Sequence, residues 1–428
     1  FTAGYGYQRE GHEFGINYSN NNTGHTGTPA LPMDITYVRG GLYDANYSWD
    51  LGDGYKIKTN VFYQKMRHWM DNNTLRSVDA ADMSNRTEVE AGGIDLAVDM
   101  PLFDGVLTVG VNGDQSNHDA NSAMDMGMMG IVTTNFFNGV ERDRYSVFTE
   151  WTGDIADDLV LELGARYTHT WSDAGEASTS TMMNPAMNPD LQDDLNKFND
   201  ADRKRNFNEV DLAAVLRYSV SSELDVEVGL ARKNRAPTYQ ELYLWTNNKA
   251  VGGFADGSTY IGDLNLDHET AYQFDLGFDW HNENAYVAPR FFYHYVDDYI
   301  QGEATSRGMP SNPILQWSNI AAQFYGVDLE AGYTITDNWR VDAGLNYVRG
   351  ERVNAPTGDS DLYRIAPLNG RTQLTYEQSG WMGAIEGIFY ADQGDVAGYN
   401  QEQKTKGYMV LNLRGKYEPY HGVVIGTG

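Results

Sequence analysis

Residues 159–171 read Leu-Val-Leu-Glu-Leu-Gly-Ala-Arg-Tyr-Thr-His-Thr-Trp. Leu159, Leu161, Leu163, Ala165, Tyr167 and Trp171 fall on one side of an extended chain, and Glu162, Gly164, Arg166, Thr168 and Thr170 on the other, because successive strand side chains point to opposite faces. The period returns at 223–232, where Leu224, Val226, Val228 and Leu230 oppose Glu223, Asp225 and Glu227. It returns again at 339–349, where Trp339, Val341, Ala343, Leu345 and Tyr347 oppose Arg340, Asp342 and Asn346. A soluble sandwich also alternates, but it seldom needs so many strands of ten or more residues. A membrane-spanning barrel does, since each strand must cross the hydrocarbon layer with an apolar outer face.

The composition agrees. Among 428 residues there are 29 Tyr, 16 Phe, 9 Trp and 45 Gly but only 12 Pro, a mixture of strand-forming aromatics and turn-forming glycine. No window offers the eighteen or more uninterrupted apolar residues of a membrane-spanning helix. The absence of cysteine rules out disulfide scaffolds and cysteine-ligated metal centres within these residues. A net charge of -29 argues against nucleic acid as a partner, because phosphates bind positive surfaces. Acidic stretches at Asp190–Asp194 and Asp200–Asp202 attract cations over distance or simply solvate the surface.

Connections alternate in length. Short turns are expected at Gln8–His12, Leu51–Gly54, Pro101–Gly105, Gly153–Asp158, Ser219–Glu223, His281–Asn284, Thr334–Asn338, Gln378–Gly380 and Glu418–Gly422. Long polar segments fall at Asn20–Ile35, Asp71–Arg86, Ser116–Gly139, Ser172–Asn206, Asn234–Asp267, Gln301–Gln316, Val353–Tyr363 and Asp392–Thr405. Short turns on one rim and long loops on the other are the pattern of outer-membrane barrels. The reading is therefore an all-β, transmembrane antiparallel β-barrel. About 18 strands are present of a barrel of roughly 22 with a plugged lumen. Three strands before Phe1 and one after Gly428 are expected to complete it, so that residues 1–428 form the barrel domain of a longer protein.

At the top of one strand stands Asn234-Arg-Ala-Pro-Thr-Tyr-Gln-Glu-Leu-Tyr243. Pro237 cannot donate to a ladder and forces Ala236 toward extended geometry, so pairing should stop there. The string resembles the R-A-P-T-x-x-E-L-Y segment in barrels of TonB-dependent outer-membrane receptors, and 319–332, Asn-Ile-Ala-Ala-Gln-Phe-Tyr-Gly-Val-Asp-Leu-Glu-Ala-Gly, looks like the family's strand after an external loop. The resemblance implies a Gram-negative outer-membrane location, a monomer surrounded by lipid, a plug inside the barrel, and energy delivered by TonB and its inner-membrane partners. It also makes Arg235, Pro237, Glu241 and Tyr243 plug-facing candidates. By spacing alone the same residues make a strand-end turn with surface charges.

Methionine points to the cargo. Met66, Met70, Met124, Met126, Met128, Met129, Met182, Met183 and Met187 gather in external or near-external positions. Met66, His68 and Met70 at i, i+2 and i+4 share one face of a strand near its outer end. Thioether sulfur prefers Cu(I), imidazole suits either copper oxidation state, and thioethers hold Mg or Ca poorly. The bland alternatives are lipid-facing methionines, should the register slip by one, and loop methionines packing on each other. The other histidines, His12, His25, His118, His169, His268, His281, His294 and His421, are scattered, and only His118 adjoins a methionine cluster.

Residues 68–76, His-Trp-Met-Asp-Asn-Asn-Thr-Leu-Arg, resemble a segment of TonB-dependent copper receptors. That subfamily implies copper held between plug and barrel, with Met70 and His68 as the barrel-side candidates and copper as transported ligand, not catalytic cofactor. No G-x-S-x-G, H-E-x-x-H or phosphate loop marks an enzyme, so no catalytic residue is assigned. A receptor for a siderophore or other metal chelate is the main rival, with aromatic lumen residues touching the cargo. A passive porin is the second, and the segment 234–243 argues against it.

Overall fold

The computed structural model describes residues 1–29, 31–77, 81–180, 189–247, 258–309, 312–355 and 358–428, without the side chains of residues 129, 189 and 312. Its strands are β1 (Thr2–Arg9), β2 (His12–Thr23), β3 (Asp34–Gly52), β4 (Tyr55–Asp71), β5 (Met83–Leu102), β6 (Gly105–Asp125), β7 (Ile131–Ala156), β8 (Leu159–Asp173), β9 (Ser178–Thr179), β10 (Arg205–Ser221), β11 (Leu224–Arg235), β12 (Thr259–Ile261), β13 (Glu269–His281), β14 (Ala285–Met309), β15 (Asn312–Thr336), β16 (Trp339–Arg352), β17 (Asn369–Gln378), β18 (Trp381–Tyr390), β19 (Tyr408–Tyr420) and β20 (Val423–Thr427). Two helices, α1 (Pro189–Asp200) and α2 (Tyr239–Tyr243), lie between strands.

Leaving aside β9 and β12, 18 strands form one antiparallel meander in which each pairs with the next. The short β9 joins β7, and β12 runs parallel to part of β15. Among the described residues β1 and β20 are the edges of this sheet. The nine expected short turns all fall between paired strands at one rim. Several need left-handed backbone: Asp53 and Gly54 have φ of 52° and 82°, and Ser379 and Gly380 have 48° and 83°. Such two-residue turns match the right-handed twist of the strands they join.

Cross-strand pairing assigns the faces. Leu96, Val111, Val147, Tyr167 and Val210 form one exposed apolar row. Aromatics mark the short-turn rim on that face, with Trp381 stacked on Tyr417 at 4.0 Å and Trp339 against Tyr376 at 4.8 Å, the girdle expected where a barrel meets headgroups. The opposite face carries ion pairs, Asp114–Arg144 at 2.9 Å and Arg290 with Glu227 at 3.1 Å and Asp279 at 2.8 Å. That face also holds the buried cluster of Ala120, Phe137, Val140, Phe207, Tyr243, Leu244, Trp245 and Tyr260, where the connections around α1 and α2 fold down over the strands. It is the inward face.

Two expectations are corrected. Ser116–Gly139 and Gln301–Gln316 were expected as long loops, but β6 runs to Asp125, β7 starts at Ile131, β14 runs to Met309 and β15 starts at Asn312. These ladders continue well above the 9–11 residues a membrane crossing requires. There neither face meets lipid, and the connections around α1 and α2 bury part of the inner face, so the apolar-out, polar-in alternation that marks a membrane strand in sequence disappears while the backbone pairing persists.

Candidate metal site on the inner wall

Register places Met66, His68 and Met70 on the inward face of β4. Four rows of side chains descend from the outer end. Met83 pairs with Met124; Met70 pairs with Asn85, which pairs with Ser122; His68 pairs with Thr87, which pairs with Ala120; Met66 pairs with Val89, which pairs with His118. Ala120 and Val140, the latter opposite His118, belong to the lumenal cluster, which fixes the side all four rows face. Directly opposite residues have Cβ atoms about 4.5–5.5 Å apart, and diagonal neighbours lie within reach of long side chains.

The segment 68–76 divides by task. Asp71 accepts from the Thr74 backbone N–H at 2.8 Å, from its hydroxyl at 2.6 Å and from Thr36 at 2.9 Å. Asn72 donates to the Ala81 carbonyl at 3.0 Å and accepts from the Met83 N–H at 2.7 Å. Arg76 donates to Asp34 at 2.6 Å, to the Leu31 carbonyl at 3.0 Å and to the Thr28 carbonyl at 3.3 Å. These bonds clasp two connections at the outer end of β3 and β4. The Arg76 guanidinium and the Thr28 N–H hold the Asp34 carboxyl well below its usual range, at about 2; Asp34 stands beyond the part of β3 that crosses the membrane.

His68 and Met70 have no such task. Met70 is buried at 4% exposure, and the His68 Nε2 atom is buried without a hydrogen-bond partner. Asn85 Oδ1 and His118 Nδ1 share that condition. Nearly all buried polar atoms are bonded, so each exception needs an explanation. Met66 instead leans across β3, its sulfur over Gly40, where any Cβ would strike it. His118 stacks on Tyr239 at 4.0 Å and 19° and contacts the Ser116 hydroxyl at 3.1 Å. Among the described residues no three His, Asp or Glu side chains gather as a metal cluster.

Among the described residues the other methionines singled out by sequence are dispersed. Met124 shares a row with Met83, whereas Met128 on the turn at 127–129 is wholly exposed and Met126 is part-buried beside it. The side chain of Met129 and all of Met182, Met183 and Met187 lie outside the described residues. Of the acidic run, Asp194 is buried and paired with Arg307 at 2.8 Å. Met83 and Asn85 escaped the sequence reading because their segment read as loop; the signal available was Met-x-Asn at a two-residue period beside a second Met-bearing strand.

The segment 234–243 closes on itself. Arg235, at the end of β11, grips Glu269 with two bonds of 2.7 and 2.6 Å and reaches Glu241 at 2.9 Å. Glu241 also accepts from the Thr238 N–H at 2.7 Å while its own N–H meets the Thr238 hydroxyl at 3.3 Å, a capping box that starts α2. Pro237 and Tyr243 are fully buried, and the Tyr243 hydroxyl donates to the Arg203 carbonyl at 3.0 Å. Burial pushes that phenol up to about 12. Arg235, one of the plug-facing candidates, thus bonds both Glu241 and Glu269.

The profile of the family described as TonB dependent receptor-like, beta-barrel matches residues 1–425. Comparison with curated protein sequences gives no match. Among solved structures, the copper transporter OprC superimposes with a TM-score of 0.81 at 20% identity, over 99% of this chain and 64% of that one. The ferric citrate transporter FecA gives 0.69 at 13% identity, over 97% and 62%. The ferric yersiniabactin uptake receptor FyuA from Yersinia pestis gives 0.66 at 15% identity, over 97% and 62%. At these identities the likeness is one of fold, and the chain spans less than two thirds of each of these proteins.

Proposed function

The chain belongs to the TonB-dependent receptors, matching the family's β-barrel over residues 1–425, and from that premise we propose that it forms the wall of an outer-membrane transporter for copper. The observation that carries this reading is the division of labour in 68–76. Asp71, Asn72, Thr74 and Arg76 are consumed by structure, while His68 presents a buried, unpartnered ring nitrogen beside a buried Met70 thioether on the inward face. A neutral imidazole nitrogen next to thioether sulfur is a donor set for copper and a poor one for hard cations. The fold likeness to a copper transporter supports the same cargo.

On this reading residues 1–428 are the barrel domain, a plug contributed by the rest of the protein closes the lumen, and TonB with its inner-membrane partners supplies the energy to shift that plug. Copper moves inward by ligand exchange, with no bond chemistry and no catalytic residue. The test is copper accumulation by Gram-negative cells producing the complete receptor. Uptake should require TonB and fall in His68→Ala and Met70→Leu variants. TonB-dependent uptake of a ferric chelate, with copper uptake absent, would establish the rival receptor class instead.

A further inference from the structure

We infer that Asn85 provides a third donor to this site, its carboxamide oxygen joining His68 Nε2 and Met70 Sδ in a nitrogen, sulfur and oxygen triad built entirely from two adjacent barrel strands. The inference rests on the copper reading above and names its donor set.

Two asparagines near the outer ends of β4 and β5 make the contrast. Asn72 is buried, and both ends of its amide are used, one by the Ala81 carbonyl and one by the Met83 N–H. Asn85 is equally sealed, at 5% exposure, yet its Oδ1 meets no donor. It stands directly opposite Met70 in the ladder and diagonal to His68, which pairs with the next inward residue of β5, Thr87. Two residues with an orphaned buried atom, Asn85 at Oδ1 and His68 at Nε2, are therefore the cross-strand and same-strand neighbours of one buried methionine on one face. A buried acceptor without a donor is kept where something else satisfies it, and a cation bound by the neighbouring imidazole would.

The donor types set what the triad accepts. Sulfur draws Cu(I), the amide oxygen favours the harder Cu(II), and imidazole serves both. Asn85 thus makes the wall tolerant of Cu(II), while a soft monovalent ion such as Ag(I) draws, of these three donors, on Met70 and His68.

The experiment is isothermal titration of the purified complete receptor with Cu(II) and, separately, Ag(I), for wild type, Asn85→Leu, Asn85→Asp, and His68→Ala with Met70→Leu. The triad predicts that Asn85→Leu weakens Cu(II) at least tenfold and leaves Ag(I) within threefold. Asn85→Asp, nearly the same shape and still an oxygen donor, should retain Cu(II) at wild-type strength or better, which separates donor loss from misfolding. Unchanged Cu(II) affinity in Asn85→Leu, equal losses for both ions, or equal losses in the Leu and Asp variants overturns the inference. If His68→Ala with Met70→Leu abolishes binding while Asn85→Leu does not, only the third donor fails; if neither matters, the copper reading fails with it.

Discussion

Met70 faces Asn85 across the β4–β5 ladder, and both are nearly sealed from solvent at the outer end of the inner wall, at 4% and 5% exposure. The clasp between Arg76 and Asp34 ties down the connections beside this row, so the thioether is held on structured strands and not on a loose loop.

Met70→Leu should separate chemistry from packing. The swap nearly conserves volume and costs under about 1.5 kcal/mol of stability. Copper affinity of the complete receptor should nevertheless drop by more than tenfold, at least the lower end of the roughly 10–100-fold loss typical of removing an outer partner of a metal ligand. Titration with copper alongside thermal unfolding of the same samples reads both effects.

The assignment of faces is tested by two adjacent residues of β8. Leu163 is exposed on the apolar face, in the row with Trp151 and Ala214, and Leu163→Lys should cost about 2–4 kcal/mol if that face meets lipid near the bilayer midplane. Gly164, on the inward face, has room: a Cβ there would sit 3.9 Å from Ala213 and 4.0 Å from Glu150. Gly164→Lys should stay within about 0.5 kcal/mol. Urea unfolding of the barrel in lipid vesicles measures the difference, and equal costs would reverse the faces.

Glu241 does two structural jobs, capping α2 and holding Arg235. Glu241→Ala should lower barrel stability by about 1–3 kcal/mol, and Thr238→Ala, which removes only the cap, by about 1 kcal/mol. Unfolding midpoints of the two variants, compared with wild type, give the order; a larger loss for Thr238→Ala contradicts the shared role of Glu241.

The clasp carries its own pH dependence. Asp34 is held at about 2, below the ordinary carboxylate value of 3.8, so its contribution to stability is complete above the ordinary value and is lost as pH falls from there through about 2. Hydrogen exchange of residues 24–34 and 71–77 should therefore accelerate over that acid window in wild type. In Asp34→Asn the fast exchange should already be present at neutral pH, with the step at low pH gone.

Much of this was legible before any coordinates. The nine short turns and the eighteen-strand meander follow from period-two alternation broken by turn residues, a signal that lipid on one face and water on the other forces into the sequence. The shared face of Met66, His68 and Met70 follows from the same period. Alternation is silent beyond the lipid, where the outer face is wet and the inner face is buried in part by the connections around α1 and α2, and that is why the extensions of β6, β7, β14 and β15 read as loops. It is also silent about which strand lies beside which row. Asn85 and Met83 become neighbours of Met70 and Asn72 only through the β4–β5 register, and the packing of α2 depends on segments distant in sequence, with Leu242 and Tyr243 in the cluster of Phe137, Phe207 and Tyr260 and Arg235 bridging Glu241 to Glu269.

The central claim, copper held by Met70 and His68 on the barrel wall, is tested most directly by X-ray absorption at the copper edge on the copper-loaded complete receptor and its Met70→Leu and His68→Ala variants. The account predicts both sulfur and imidazole nitrogen bonded to the metal in wild type, with the sulfur signal diminished by Met70→Leu and the imidazole signal by His68→Ala. Spectra identical in all three proteins, or copper bound by oxygen and nitrogen alone, would contradict it.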